Sequence, residues 1–502
     1  MTRKAFRSFD PSFLQGGKIM KFLKKSLLLF LTVCLLFAAA SCGLAEPSGK
    51  SDIAPASLVP GSAVDSSSDG LPGRVGGDSA YDALAPGGAY SKEYAGEYGG
   101  EVTGVPDAEW SESVEPSEKQ NNVRPAGLIT ASAWNENLHY DFWKSLFVKG
   151  QTEEDSGKFL HFYEDVKNRW GFDSTQRVTV TVKHGETPVC GATVVCLDGA
   201  GAEFVAKTGA DGIAYLFPEV PSGLLKIKSG NFSAEVPFES PTCEIEVQLD
   251  GAAEKQNKIQ VMLVIDVTGS MGDELNYLQT EIEDVINRIA AANEGVQIEL
   301  ALLFYRDDGD AEKFAYHDFV NVNSFAGMNE QLKNLRGQRA DGGGDYEEAV
   351  DEALELAMSK AWSEDSTTKI IFHLLDAPPH SNRYNPQRKY EERFEAAVRK
   401  AAAIGIRLCP ILCSGADLTC EYLVRQEAIY TGGTFIFVTD DSGIGGAHLD
   451  PNIPDAVVEK LNDLMVRVVD GYHTGTFAEP TPWQGEKQTT NGGIERLPEG
   501  VE

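Results

Sequence analysis

The sequence predicts a multidomain chain: a doubly wound α/β unit built on a parallel sheet, preceded by a small all-β sandwich and a disordered N-terminal tether. Three observations predict it. Between 258 and 473, short continuous apolar runs alternate with stretches whose apolar residues recur every three or four positions, the mark of buried parallel strands and amphipathic helices. Between 177 and 250, apolar and polar residues alternate in short runs broken by Gly-rich turns. From 43 to 125 the chain is rich in Gly, Ser, Pro, Asp and Glu and has few large apolar residues, so it cannot bury enough surface to offset its ordering entropy. With 502 residues there is ample chain for several cores.

The N-terminus reads as an export signal. Lys21, Lys24 and Lys25 precede an apolar segment, 27–40, which stops at Ser41-Cys42-Gly43 and is too short for a comfortable membrane span. With Cys42 behind small residues, the segment resembles a bacterial lipoprotein signal. That resemblance implies a signal over 1–42 with cleavage at Cys42, lipid on Cys42 and attachment to a membrane, at the cell surface or facing a periplasm. Ala39 stands where the family usually has leucine, and an ordinary signal cut near Ala40 or Ala45 is the alternative. The tether at 43–125 would then hold a folded head away from the bilayer.

A net charge of −32 excludes nucleic acid as a partner, because phosphate binding needs a basic stripe and none is visible. The eight cysteines form no CxxC pair, which argues against a zinc ribbon or a thioredoxin-like site. Setting aside Cys34 and Cys42 leaves an even number, which permits disulfides without specifying them; Cys409 and Cys413, in or beside an apolar run, are expected as buried thiols.

Residues 126–170 form a short aromatic and helical segment in which Trp134, Phe142, Trp143, Phe147 and Phe162 offer material to pack against a neighbouring domain. From 177 the alternation Val178-Thr179-Val180-Thr181-Val182 begins a series of strands, with others at 188–195, within 208–216 after a turn, and at 223–228 and 243–249. The phrases Pro188-Val189-Cys190-Gly191-Ala192-Thr193-Val194-Val195 and Thr208-Gly209-Ala210-Asp211-Gly212 resemble the carboxypeptidase-regulatory or transthyretin-like sandwich. In that family the module is a spacer or assembly unit.

In the α/β unit, strands are expected at 261–265, 298–305, 370–375, 408–412 and 434–438, and helices at 273–293, 346–360, 388–404, 421–430 and 456–469. The tail 474–502 is polar and expected to be loose. Ligands of such sheets sit where the carboxyl ends of the strands open a crevice. Three loops at such ends carry oxygen-bearing residues: Asp266-Val267-Thr268-Gly269-Ser270, Asp341-Gly342-Gly343-Gly344-Asp345 and Asp376-Ala377-Pro378-Pro379-His380. The alternate spacing of Asp266, Thr268 and Ser270 lets all three turn toward one point, and hard divalent cations take oxygen ligands of this kind.

These loops resemble the von Willebrand factor A domain and its metal-ion-dependent adhesion site, over nearly all of 258–473. Asp266, Thr268 and Ser270 match the first loop of that site, with Thr268 replacing a serine, and Asp376 matches the third. The second loop departs, offering Asp345 where the family usually has threonine. The Gly-Gly-Gly-Asp form, with Tyr305-Arg306-Asp307-Asp308, looks like the branch found beside atypical alpha kinases and in bacterial surface proteins. The resemblance implies a metal set of Asp266, Thr268, Ser270, Asp345 and Asp376, a bound Mg²⁺ (or Ca²⁺ or Mn²⁺) and a protein partner at the metal-bearing face. With three carboxylates ionised, such a site would carry about one negative charge after binding the ion and would gain less from an acidic partner.

The remaining acids and imidazoles are given quieter roles. Asp307, Asp308 and Asp310 read as a solvated turn, with a second ion site as the alternative, Glu347 and Glu348 as helix surface, and His373 as strand packing; a zinc site from His373, Asp376 and His380 is a minor alternative. The function expected is adhesion or assembly by a non-enzymatic binding protein. A metal-dependent hydrolase and a scaffold with a purely stabilising metal are the alternatives; the first lacks a Ser/His/Asp arrangement or a Gly-x-Ser-x-Gly elbow.

Overall fold

The computed structural model describes residues 126–147, 170–172, 174–197, 203–272, 274–454 and 456–485. The expected signal, Cys42, the tether, much of the aromatic segment and residues 486–502 lie outside the described residues.

The chain opens with β1 (Thr130–Trp134) and α1 (Tyr140–Ser145). Eight short strands follow: β2 (Val178–His184), β3 (Thr187–Pro188), β4 (Thr193–Leu197), β5 (Glu203–Lys207), β6 (Ile213–Leu216), β7 (Gly223–Ser229), β8 (Phe232–Phe238) and β9 (Cys243–Gln248). They form two four-stranded sheets, one of β3, β2 and β6 with β9 beside β2, the other in the order β5-β4-β7-β8. Alternation along β2 buries Val178, Val180 and Val182 and leaves Thr179 and Thr181 half-buried, as a period of two requires.

The α/β unit begins with β10 (Gln256–Asp266), α2 (Leu275–Ala292), β11 (Gln297–Tyr305), β12 (Phe314–Asn321), α3 (Phe325–Gly337), α4 (Val350–Met358) and β13 (Ser366–Leu375). It ends with α5 (Tyr390–Ile404), β14 (Arg407–Leu412), α6 (Leu418–Thr431), β15 (Phe435–Val438), β16 (Glu459–Lys460) and α7 (Leu461–Thr474). Their eight-stranded sheet has the order β12-β11-β10-β13-β14-β15-β1-β16. The strands β11, β10, β13, β14 and β15 run parallel, whereas β12 pairs antiparallel with β11, and β1 antiparallel with both β15 and β16.

The sheet is therefore mixed, which corrects the expectation of a parallel one. The physical reason lies at its edges. A parallel neighbour requires a long crossover, but β12 follows β11 after a short turn, and β1 arrives from the far N-terminal side of the small sheets. The aromatic segment thus supplies a strand of the sheet rather than only a packing face. Both β12 and α3 are additions to the elements expected from sequence.

Strand β10 carries the core on both of its sides. Ile259, Val261, Leu263 and Ile265 pack with Leu278, Ile282 and Val285 of α2 and with Leu464, Met465 and Val468 of α7. Met262 and Val264 face the opposite side, among Val350 and Leu354 of α4, Phe394 and Val398 of α5, and Leu423 and Tyr430 of α6. That second cluster continues into Val178, Val194, Leu216 and Leu225 of the small sheets. Helix α6 is capped by Asp417, whose side chain accepts from the Cys420 N–H (2.8 Å), and it stops at Gly432 in the left-handed conformation. Next to it, Gly433 has no room for a side chain, since a Cβ there would meet the Leu408 carbonyl oxygen at 1.8 Å. Cys409 and Cys413 are buried thiols, as expected.

Candidate metal centre

The carboxyl ends of β10, β11 and β13 lie together because the three strands are parallel neighbours in register, Asp266 opposite Tyr305 and Ile265 opposite Leu374. The loop after β10 is stapled from both sides. Val267 N–H donates to the Tyr305 carbonyl (3.0 Å), Asp341 N–H to the Val267 carbonyl (3.0 Å) and Gly269 N–H to the Gly342 carbonyl (3.1 Å). The glycine loop can lie this close because Gly342 and Gly343 both adopt positive φ. A Cβ on Gly342 would strike the Asp310 carboxylate at 2.6 Å, and one on Gly343 would press on Glu348 Oε1 at 3.0 Å and Thr268 Cβ at 3.3 Å.

Within this frame Asp266, Thr268, Ser270 and Asp376 come together. Thr268 donates to Asp266 Oδ1 twice, from its N–H (2.8 Å) and its Oγ1 (2.6 Å), and its Oγ1 lies 3.2 Å from Ser270 Oγ. Ser270 in turn stands beside the Asp376 carboxylate and favours its ionised form. Asp266, Thr268 and Asp376 are buried, and Ser270 is exposed. Tyr346 fastens the third loop: its hydroxyl lies 3.3 Å from the Asp376 carbonyl and accepts from the Asp417 N–H at 2.8 Å.

Glu348 is the acid that sequence reasoning misplaced. It was read as helix surface, but α4 begins only at Val350, and Glu348 is 3% exposed. Its N–H donates to the Pro378 carbonyl (3.0 Å), which draws its side chain in beside Thr268, and Asp266, Asp307 and Asp376 are its acidic neighbours. Glutamates at the start of an amphipathic stretch usually face water, and nothing in the local pattern marks this one as an exception.

Burial dominates the electrostatics. It pushes the Glu348 carboxyl up to about 10, with Asp266, Asp307 and Asp376 adding to the effect. Asp266 and Asp376 titrate as a pair, raised to about 6 and about 7 by burial, with Thr268 and Ser270 opposing the shift. Asp266 Oδ2, Glu348 Oε2 and Asp376 Oδ1 are buried and have no hydrogen-bond partner among the described residues. Buried carboxylate oxygens are rarely left so, and a divalent cation is the group that would satisfy them. The residues present therefore fit the metal that the resemblance implies.

Asp345 is exposed, and the structure brings it to Asp307 and His380: one ligand atom from each of the three lies within 4.8 Å of the others. The expectation of a solvated turn for Asp307 is corrected, since it is 3% exposed and bonded at 2.8 Å to His380 Nε2, with its carboxyl raised by burial. Asp308 is instead drawn below its usual range by Lys313 and Arg388, against the pull of burial. His373 is held inside the protein between Glu427 (3.0 Å) and Tyr305 (3.3 Å), which matches its reading as strand packing. The signal that could have found Asp307 is its position just beyond the end of a central parallel strand, the same place that singled out Asp266 and Asp376.

Residues 260–391 match the family model of the von Willebrand factor A domain, and this stretch contains Asp266, Thr268, Ser270, Asp345 and Asp376. The chain thus carries a domain of von Willebrand factor A type. Among curated proteins, an ariadne-like RING finger protein of Acanthamoeba polyphaga mimivirus is 28% identical over 127 residues, which is 25% of this chain and 12% of that protein. Among solved structures, the pilus adhesin SpaC of Lactobacillus rhamnosus GG aligns over 42% of this chain and 29% of its own at 12% identity and TM-score 0.28. The conserved hypothetical protein BatB of Bacteroides thetaiotaomicron aligns over 35% and 87% at 13% identity and TM-score 0.25. The chain thus spans about an eighth of that viral protein and under a third of the adhesin.

Proposed function

We propose that the chain is a non-enzymatic binding protein, exported and anchored to a membrane through lipid on Cys42, whose von Willebrand factor A domain engages a protein partner through a bound divalent cation. Asp266, Thr268, Ser270 and Asp376 hold the ion, with Glu348 as a further carboxylate at the same point. The observation that carries the reading is the set of three buried carboxylate oxygens left without partners beside a chain of two hydroxyls. An ion there would supply a Lewis-acidic position able to take a carboxylate oxygen from a partner.

Glu348 alters the charge argument made from sequence. A carboxyl raised to about 10 keeps its proton at neutral pH in the absence of metal, and a bound cation would favour its ionised form, so with Asp266 and Asp376 it would bring three carboxylates to the ion. Asp345, being exposed and beside His380, is not one of those three. The small sheets before the domain act as an assembly module of carboxypeptidase-regulatory type, and residues 43–125 as a spacer from the bilayer.

Calorimetry with Mg²⁺, together with affinity capture from the native cells in Mg²⁺ and in chelator, tests this. Asp266→Asn is expected to abolish Mg²⁺ binding and to lose the same captured protein that chelation loses. Capture unchanged by both treatments, with the fold intact by circular dichroism, would leave only a metal-independent surface or a stabilising ion.

A further inference from the structure

We infer that Asp307, Asp345 and His380 form a second cation site next to the first, suited to a first-row transition-metal ion such as Mn²⁺ or Zn²⁺ rather than to Mg²⁺ or Ca²⁺. The three residues come from three different loops at the carboxyl edge of the sheet: Asp307 after β11, Asp345 from the glycine loop and His380 from the loop after β13. Ligands about 2.1 Å from an ion lie about 3 Å apart when adjacent and about 4.2 Å when opposite. The Asp307 Oδ1 to His380 Nε2 distance of 2.8 Å already has the adjacent spacing. The third ligand atom lies within 4.8 Å of both, on an exposed side chain free to rotate inward. An imidazole nitrogen in the set is what turns preference from the all-oxygen cations toward the transition series.

His380 is fully buried, and its ring presents Nε2 to Asp307. The surroundings are built to hold the three side chains. Tyr384 stacks on the His380 ring with centroids 4.4 Å apart and ring planes 22° from parallel. Asp310 ties two of the loops together by accepting from the Asp307 N–H (3.1 Å) and the Gly343 N–H (3.0 Å). An ion here would displace the proton shared by His380 and Asp307 to solvent and cross-link the loop after β11 to the glycine loop and the loop after β13, two of the loops that frame the first site.

The inference stands apart from the first ion, because no residue of the Asp266 set supplies a ligand to it. The test uses the full chain, stripped with chelator and titrated with Mn²⁺, read by calorimetry and by electron spin-echo detection of imidazole nitrogen at the bound ion. The wild-type protein is expected to bind two Mn²⁺ ions, one of them coupled to nitrogen. Asp266→Asn should remove the ion without nitrogen coupling and spare the other. His380→Gln should abolish the coupling. Since His380 is buried, Asp345→Asn provides a surface substitution, expected to weaken the nitrogen-coupled ion about tenfold or more. Absence of nitrogen coupling at saturating Mn²⁺, coupling that survives in His380→Gln, or wild-type affinity in Asp345→Asn would each overturn the second site. Loss of binding in Asp266→Asn alone reports on the first.

Discussion

Asp266, Asp376 and Glu348 are three acids taken out of water within one small space, and the proposed cation would compete with their protons for the same oxygens. A carboxyl raised above its ordinary 3.8 weakens the metal-free fold as pH climbs, because the unfolded chain releases its proton first. For Asp266 and Asp376 that loss accrues between about pH 4 and about pH 7. A bound cation reverses it by favouring the ionised forms. The rise in Tm produced by saturating Mg²⁺ is therefore expected to be larger at about pH 8 than at about pH 5. Equal rises at the two pH values would show that these carboxyls do not hold the ion. At this scale the sequence was legible for Asp266, Thr268, Ser270 and Asp376, because each sits at a strand end in a loop whose spacing has one simple use. It was not legible for Glu348, Asp307 and His380, whose burial depends on loops from other strands closing over them.

At the scale of elements, β1 and α6 are joined by a buried charge. Arg425 lies at no measurable exposure between Glu136, which follows β1, and Glu421, one turn before it on α6, and it also donates to the Asn452 carbonyl. The pairing with Glu136 fixes the edge strand against the helix. Glu136→Ala would leave the guanidinium only partly compensated and is expected to cost about 3–5 kcal/mol in urea unfolding. A change below about 1 kcal/mol would mean that water or another acid replaces Glu136. Residues 126–147 could not be read as part of the sheet because their strand is short and its partners, Phe435 to Val438 and Glu459, lie some 300 residues further along. Strand β12 escaped for a different reason: an edge strand with mostly half-buried residues shows little alternation.

On the scale of the whole described region, the small sheets and the α/β domain share one apolar cluster. Phe217 stacks on Tyr430 of α6 at 4.7 Å, and Phe204 meets the same ring at 5.6 Å. This contact argues for cooperative unfolding. Phe217→Ala is expected to cost about 3–5 kcal/mol and to leave a single transition shared by both regions. Two separate transitions in the wild-type protein would show instead that the sheets unfold alone. What the sequence determined by itself was whatever is periodic or punctuated: the buried strands of the α/β unit, its amphipathic helices, the alternating strands before it and the loop from Asp266 to Ser270. Only the tertiary structure decided which acids are buried, that the sheet is mixed, and that Asp345 meets Asp307 and His380. The physical reason is that burial and proximity at a strand end are set by loops distant in the chain, whereas periodicity is carried by each segment alone.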